Sequence, residues 1–343
     1  MGVARLYTAT TPYNEEELFD ISYEQSADVV YMAHWDHEPG KLSRYDHDDW
    51  RFTTLTLGPD LEQVAGLAIT TNDVETDGGL WSPQVHRYKV AAISEATDQE
   101  TLPCTAVAAD TNDLSYAANT NVLNWTALTG AQRYVVYKEY NGIYGYIGGT
   151  EGTTFTDDNI SPDLSDTPQL QRNPFSTPDD CPGAVTFHEQ RLVFARTRSR
   201  PNGVWTSQSA NFENFNVSRP SKANDAISFA IVGRQVNFVQ SLVPAKDLIT
   251  LTVGAVYQVN GGNSDFMTPA ATVPRLAVAR GANNVRPLMI DEVVFYLQSR
   301  GSKVRTLGYT FEVDGYKGND ITVYARHFFN NLTIVDWCYC EEP

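Results

Sequence analysis

Ala184–Ala195, AVTFHEQRLVFA, decides the fold class. Two apolar stretches of strand length, rich in Val, Phe and Leu, flank a polar His-Glu-Gln-Arg centre, which is the pattern of a β-hairpin. The chain then turns through Arg198–Gly203 into a further apolar stretch, Val204–Ser209. The same loose pattern appears at Ala27–His34, which turns at Asp36–Gly40 into Lys41–Leu57, and again at Asp247–Gly261 and Glu292–Thr310. Leu192, Leu248 and Val293 recur at about 45 to 56 residues, the spacing of units that are each one four-stranded propeller blade. A pair of β-sandwiches is the competing arrangement. Helical periodicity is scarce: Asn14–Tyr23 (NEEELFDISY) places acidic residues before Leu18, Phe19 and Ile21 and predicts one short helix or turn. The fold class is all-β.

The chain has 343 residues, enough for about two folded units. Hydrophobic residues make up 42% and charged residues 20%, which excludes wholesale disorder. No apolar run approaches the ~18 residues that span a bilayer, and Met1–Asp20 lacks a basic start followed by an apolar stretch, so the reading is a soluble chain with no membrane span. Twenty-five Lys and Arg against 42 Asp and Glu leave a net charge of −17. Such a surface does not grip nucleic acid through its phosphates, since that affinity comes from basic residues releasing counterions. It suits either simple solubility or a passage through which nucleic acid slides without sticking. Cys104, Cys181, Cys338 and Cys340 contain no CxxC pair and read as reduced thiols.

Between the first and second repeat units the character changes. Val122–Ala127, Gly130–Tyr137, Tyr144–Thr150 and Thr153–Asp158 read as short alternating strands around a lone Trp125. They resemble a fibronectin type III module, whose Trp packs between two sheets and faces a Tyr-x-Val-Tyr-like strand, here Tyr134–Tyr137. Tyr88–Pro103 resembles the last hairpin of the same module class, which implies that its final strands precede its first ones. Pro162–Pro178, with four prolines, reads as the linker back. The expected organisation is residues 1–85 as the first part of a β-propeller-like main domain, 86–168 as an inserted fibronectin III-like β-sandwich, and 169–343 as the rest of the propeller-like domain.

The most chemically suggestive cluster is His34-Trp35-Asp36-His37-Glu38, followed by Asp46-His47-Asp48-Asp49, because imidazoles and carboxylates around one hairpin suit a divalent metal. A hairpin closing at Glu38–Gly40 sets His34 opposite Tyr45 and leaves His47 beyond. HxxxH and HExxH spacings are absent, and the reading is a structural turn with a solvated acidic rim. GxSxG and Walker loops are absent, and Gly148-Gly149 and Gly261-Gly262 follow strands as turn glycines. Arg191, Arg196, Arg198, Arg200 and Arg219 lack the boxes of sialidases and read as contacts to carboxylates of a partner chain. No catalytic residue, metal or cofactor is assigned, and the chain is read as a non-enzyme.

Ser26–Trp50 (SADVVYMAHWDHEPGKLSRYDHDDW), Pro182–Phe194, Arg200–Phe215 (RPNGVWTSQSANFENF), Asn224–Ile227, Gly233–Val236, Leu242–Leu251 and Gly315–Asp320 (GYKGND) together resemble the tail tubular protein B, or nozzle, family of short-tailed bacteriophages and prophages. The resemblance covers nearly all of residues 10–343, including the Asp-Asp-Asn-Ile-x-Pro-Asp turn at 157–163. It implies a β-propeller with inserted β modules, and a sixfold ring that continues the DNA channel below the portal and adaptor. It also implies that His34, His37, His47, Asp48, Asp49 and Trp50 are fold residues rather than ligands. Family chains extend further at both ends, which leaves closure of the propeller within one chain open.

The leading expectation is therefore a virion structural protein, made in the host cytoplasm and assembled into the tail. Its partners are copies of itself in a hexameric ring, the portal, adaptor and other tail proteins, and DNA that passes through without specific binding. A glycan-binding or glycan-degrading tail-associated propeller protein is the alternative, and a cell-surface adhesion protein the third reading. Arg198, Arg200, Trp205, Phe212 and Phe215, where arginines and aromatics cluster in a loop-rich stretch, are the candidate interface residues, with blade core as the competing reading of Trp205, Phe212 and Phe215.

Overall fold

The computed structural model describes residues 7–58, 61–72, 84–111, 113–116, 119–169, 173–233, 237–262, 264, 266–300, 303–311, 315–329, 332 and 334–341. Strand accounts for 48% and helix for 3%, so the chain is all-β. A first antiparallel meander comprises β1 (Ser22–Ser26), β2 (Val29–His34), β3 (His37–Asp46) and β4 (Asp49–Thr54). Seven strands follow: β5 (Ala68–Asn72), β6 (Gln84–Ser94), β7 (Val107–Thr111), β8 (Thr120–Asn124), β9 (Ala131–Tyr140), β10 (Ile143–Thr150) and β11 (Thr154–Asp157). Three more four-stranded meanders complete the order. They are β12 (Ala184–His188), β13 (Arg191–Ala195), β14 (Gly203–Thr206) and β15 (Ile227–Ala230); β16 (Val239–Pro244), β17 (Leu248–Thr252), β18 (Val256–Asn260) and β19 (Val273–Val278); and β20 (Leu288–Ile290), β21 (Val293–Leu297), β22 (Val304–Thr310) and β23 (Gly315–Asp320). The chain divides into two compact units: Met1–Thr56, Pro174–Phe215 and Ala223–Pro343 form the first, Leu57–Asn173 and Asn216–Lys222 the second.

Two-residue turns set the registers of the first unit: Ser26 pairs with Val29, His34 with His37, His188 with Arg191, and Ile290 with Val293. At the third of these, Glu189 and Gln190 take φ of 47° and 59°, a conformation usually reserved for Asn-Gly. The turn is held from outside, because the Glu189 carboxylate accepts the Met267 N–H at 2.8 Å. The 45-to-56-residue spacing marks equivalent places, since Leu192, Leu248 and Val293 all lie at or near the start of the second strand of a sheet.

Every residue of β13 and of β17 is buried, so both faces of these strands are covered. Val193, Ala195 and Leu248 join Val204, Ile227, Val239 and Val259 in one core cluster. The other face of β17 sends Ile249 and Leu251 into a second cluster with Val256, Val294, Tyr296 and Leu307. Each fully buried aliphatic contributes about 1.5–3 kcal/mol. The strand β12 packs on β1 and β2 on one side and on β16 on the other. Residues of β1, β12, β16 and β20, the first strand of each sheet, line a common cavity of about 530 Å3 together with Asp336–Tyr339.

The second unit is two sheets, ordered β10-β9-β6-β7 and β11-β8-β5. Between them lie Tyr88, Val90, Leu123, Trp125, Tyr134, Val136 and Ile147, with the Trp125 and Tyr134 rings 5.3 Å apart. A buried polar group sits beside this core. Asp157, fully buried, accepts the Tyr88 hydroxyl at 2.6 Å and pairs with Lys138 at 2.7 Å, while Asn121 donates to the Tyr88 oxygen at 2.9 Å. The segment Asn216–Lys222 straps the same unit: the Arg219 guanidinium lies over Tyr146 at 5.1 Å, pairs with Asp166, and takes Glu100 at 3.5 Å.

Asn14–Tyr23 holds one short element, the 3-10 turn at Glu15–Glu17, as expected, and from Ser22 the chain pairs into β1. Other expectations shift. The first hairpin closes at Trp35-Asp36, so His34 faces His37 rather than Tyr45, and Lys41–Leu57 breaks at His47-Asp48 into two strands. The strand Ala68–Asn72, expected in the propeller-like part, pairs with β8 in the second unit. The short helix α1 (Arg326–Phe329) carries no sequence signal of its own.

Asp157→Ala leaves the Lys138 ammonium and Tyr88 hydroxyl without their acceptor inside the protein. The expected loss is about 3–5 kcal/mol, read as faster hydrogen exchange across β6, β8 and β9; a loss below about 1 kcal/mol contradicts the role given to this group.

Candidate functional site

Three of the meanders in the first unit meet at Arg196 near their starts, and the first meets it through its β2–β3 turn. This residue follows β13 with φ of 62°, which turns its side chain away from the strand's own ladder. Its Nη2 donates to the Gly183 carbonyl ahead of β12 at 2.9 Å, and its Nη1 donates to the Gln240 amide oxygen on β16 at 3.0 Å and to Asn284 Oδ1, ahead of β20, at 3.3 Å. The guanidinium lies 4.8 Å from the Trp35 ring centroid, on the β2–β3 turn. A Cβ at Gly183 would stand 2.6 Å from Arg196 Nε, so only glycine admits the guanidinium there. Arg196 makes no ion pair among the described residues; its nearest negative influence is Asp20, which accepts the Asn284 amide at 2.7 Å. Burial pushes the Arg196 pKa down to about 10, with the Asp20 charge opposing that shift.

Around this guanidinium lies a pocket of about 580 Å3 lined by Trp35, Thr197, Arg198, Phe238, Gln240 and Asn284 as well as Arg196. Phe238 is 52% exposed, and no Asp or Glu is among these lining residues. The arrangement offers aromatic faces, amides and a cation; it lacks the facing carboxylates of a glycoside hydrolase.

The same β2–β3 turn carries a second cluster. His37 Nε2 lies 2.9 Å from Glu17 Oε2, which also accepts the Asn14 N–H at 2.8 Å. His34 is buried, its ring 5.2 Å from that of His37, and its Nδ1 accepts the Asp36 N–H at 3.2 Å. Burial lowers the His34 pKa from 6.5. By contrast His47 is exposed and forms no part of this cluster, while Asp49 pairs with Arg51 at 2.6 Å.

The expected interface residues separate. Trp205 and Phe215 are core: both pack on Phe175, at 5.4 and 6.2 Å, and Phe215 also meets Phe194 at 5.8 Å. Strand β14 pairs on both edges, and that burial leaves Trp205 only 6% exposed. Phe212 is half-buried against Phe187 at 4.8 Å and Tyr31 at 6.3 Å. Arg198 is exposed but pairs with Asp36, and Arg200 is exposed. The other arginines of that series also work internally: Arg191 donates to the carbonyls of Ser207, Asp225 and Ala223, and Arg219 holds the strap of the second unit. Trp35, Phe238, Gln240 and Asn284 have no pattern in common along the chain, and only folding assembles them. The signal that was present is Arg196 itself, a cation directly ending the apolar run Leu192–Ala195. Comparison with known protein families returns no matching family, and comparison with curated proteins returns no match.

Arg196→Lys keeps the charge and loses the fork that spans three acceptors. Urea unfolding is expected to register a loss of about 1–3 kcal/mol, from the buried Gly183 carbonyl and two half-buried amide oxygens that lose their donor; an unchanged midpoint contradicts the bridging role. A pH effect follows from His34 and His188, whose folded-state pKa values burial lowers below 6.5. The unfolded chain then binds more protons below that value, so their contribution is present above pH 6.5 and is lost as pH falls. Thermal melts at pH 7.5 and 5.5 are expected to give the lower midpoint in acid.

Proposed function

We propose that this chain is a virion structural protein, a nozzle or tube component of a short bacteriophage tail that assembles into a sixfold ring around the path of the DNA. The observation that carries this reading is the order of parts. One four-stranded meander, a two-sheet unit of seven strands, and three further four-stranded meanders follow one another, and the first strands of all four meanders line one cavity. We read the meanders as propeller blades, and the second unit as a fibronectin III-like sandwich whose last hairpin, β6–β7, precedes its remaining strands. That is the layout implied by the nozzle resemblance. Two further features support it. The net charge of −17 suits a conduit that must not retain DNA, and Phe311, Tyr324 and Phe328 stand 89%, 94% and 67% exposed, as residues awaiting a neighbouring subunit do.

The pocket around Arg196 favours a second reading, glycan binding, because a half-buried Trp35, an exposed Phe238 and the amides of Gln240 and Asn284 match the chemistry of sugar recognition. Without facing carboxylates in its lining, this reading is of binding and not hydrolysis.

Light scattering coupled to gel filtration, followed by negative-stain microscopy, separates the two. Rings of about six subunits, formed alone or on an adaptor ring, are the expected result. A strict monomer that joins no tail assembly and binds glycans through Trp35, with loss on Trp35→Ala, overturns the nozzle reading.

A further inference from the structure

We propose that Glu17, His34 and His37 form a binding site for one divalent first-row transition metal ion of the zinc class. One ligand atom from each lies within 4.8 Å of the others. Ligands held 2.0–2.1 Å from a tetrahedral zinc are about 3.4 Å apart, so side-chain movements of about an ångström admit the ion. The local fold explains the convergence. The two-residue Trp35-Asp36 turn sets His34 directly opposite His37, and directly opposed residues project from the same face of a hairpin. The Asn14 N–H fixes the third donor by holding Glu17 Oε2 at 2.8 Å.

The donor set of two imidazoles and one carboxylate is that of a three-ligand zinc site, with water completing the shell. Burial favours the neutral form of His34, the form that ligates. Ligation through either ring nitrogen gives up the 3.2 Å bond from the Asp36 N–H, because ligation through Nε2 places the imidazole proton on Nδ1. Tyr13 supplies an independent pointer. Its ring stands edge-on to both imidazoles, at 6.2 and 5.2 Å, and its buried hydroxyl has no hydrogen-bond partner. The Glu17 charge, added to burial, pushes that hydroxyl up to about 12, so it stays a neutral oxygen beside the cluster. A bound ion pins the turn at Glu15–Glu17 to the β2–β3 turn and so fixes how the chain enters β1. The site does not depend on the nozzle reading, and it departs from what that resemblance implies for His34 and His37, which it makes ligands as well as fold residues.

The test uses the full chain carrying Cys338→Ser and Cys340→Ser, so that two exposed thiols do not compete for the ion. After chelator treatment and dialysis, zinc is titrated calorimetrically and cobalt by visible absorption. The expected result is one ion per chain with the absorption of a low-coordinate nitrogen and oxygen site. Glu17→Gln and His37→Asn are each expected to weaken binding ~10-fold or more while the metal-free melting temperature stays near that of the parent; His327→Asn, on an exposed histidine, is expected to change nothing. Absence of binding in the chain carrying Cys338→Ser and Cys340→Ser overturns the proposal, as does equal affinity in the Glu17→Gln/His37→Asn double variant.

Discussion

A single guanidinium constrains the first unit. Four sheets that each bury their own faces still need something to fix where their leading strands begin, and apolar packing, being non-directional, supplies no such reference. Arg196 does so with directed bonds: a carbonyl before β12, an amide on β16, an amide before β20 and the indole of the first meander's turn. Its planar fork matches this task, since its donors are fixed relative to one another. The charge is balanced at one remove, because Asn284 accepts from Arg196 and donates to Asp20. Gly183 is the complementary concession, a residue without a side chain where the guanidinium must lie against the backbone.

The second unit reaches its specificity by another route. Its core places Trp125 against Tyr134, with aliphatics from both sheets around them. The buried Lys138–Asp157 pair adds little net energy beside such a core, since desolvation offsets most of the attraction. What it adds is a requirement: β6, β8, β9 and β11 must all be in register for Tyr88, Asn121, Lys138 and Asp157 to satisfy one another. The two units therefore share a principle, polar groups that specify position inside apolar packing that supplies the energy.

Much of this was legible in the residues. Ala184–Ala195 reads as a hairpin and is one, β12–β13, and the recurrence of Leu192, Leu248 and Val293 picks out second strands. Trp125 and the Tyr134–Tyr137 strand are where their alternation puts them. The misses share a cause. Trp205, Phe212 and Phe215 look like an interface because aromatics beside arginines are common there, but a local window cannot tell a covered strand from an uncovered one. The turn at Trp35-Asp36 carries no glycine or asparagine, so nothing local placed it ahead of Gly40. The Arg196 pocket is assembled from positions 35 to 284, and a set so scattered becomes visible only in three dimensions.

The strap has a consequence for the way the protein is made. Asn216–Lys222 belongs to the second unit, yet it leaves the ribosome only after β12, β13 and β14 of the first. During synthesis the Tyr137 and Tyr146 face of the β10-β9-β6-β7 sheet therefore waits for Arg219, while residues of the other unit are already emerging. Domains that fold in simple succession avoid such a delay. Here the vectorial order of translation is interleaved with the spatial order of the fold, so the second unit is born incomplete and is finished from a distance along the chain.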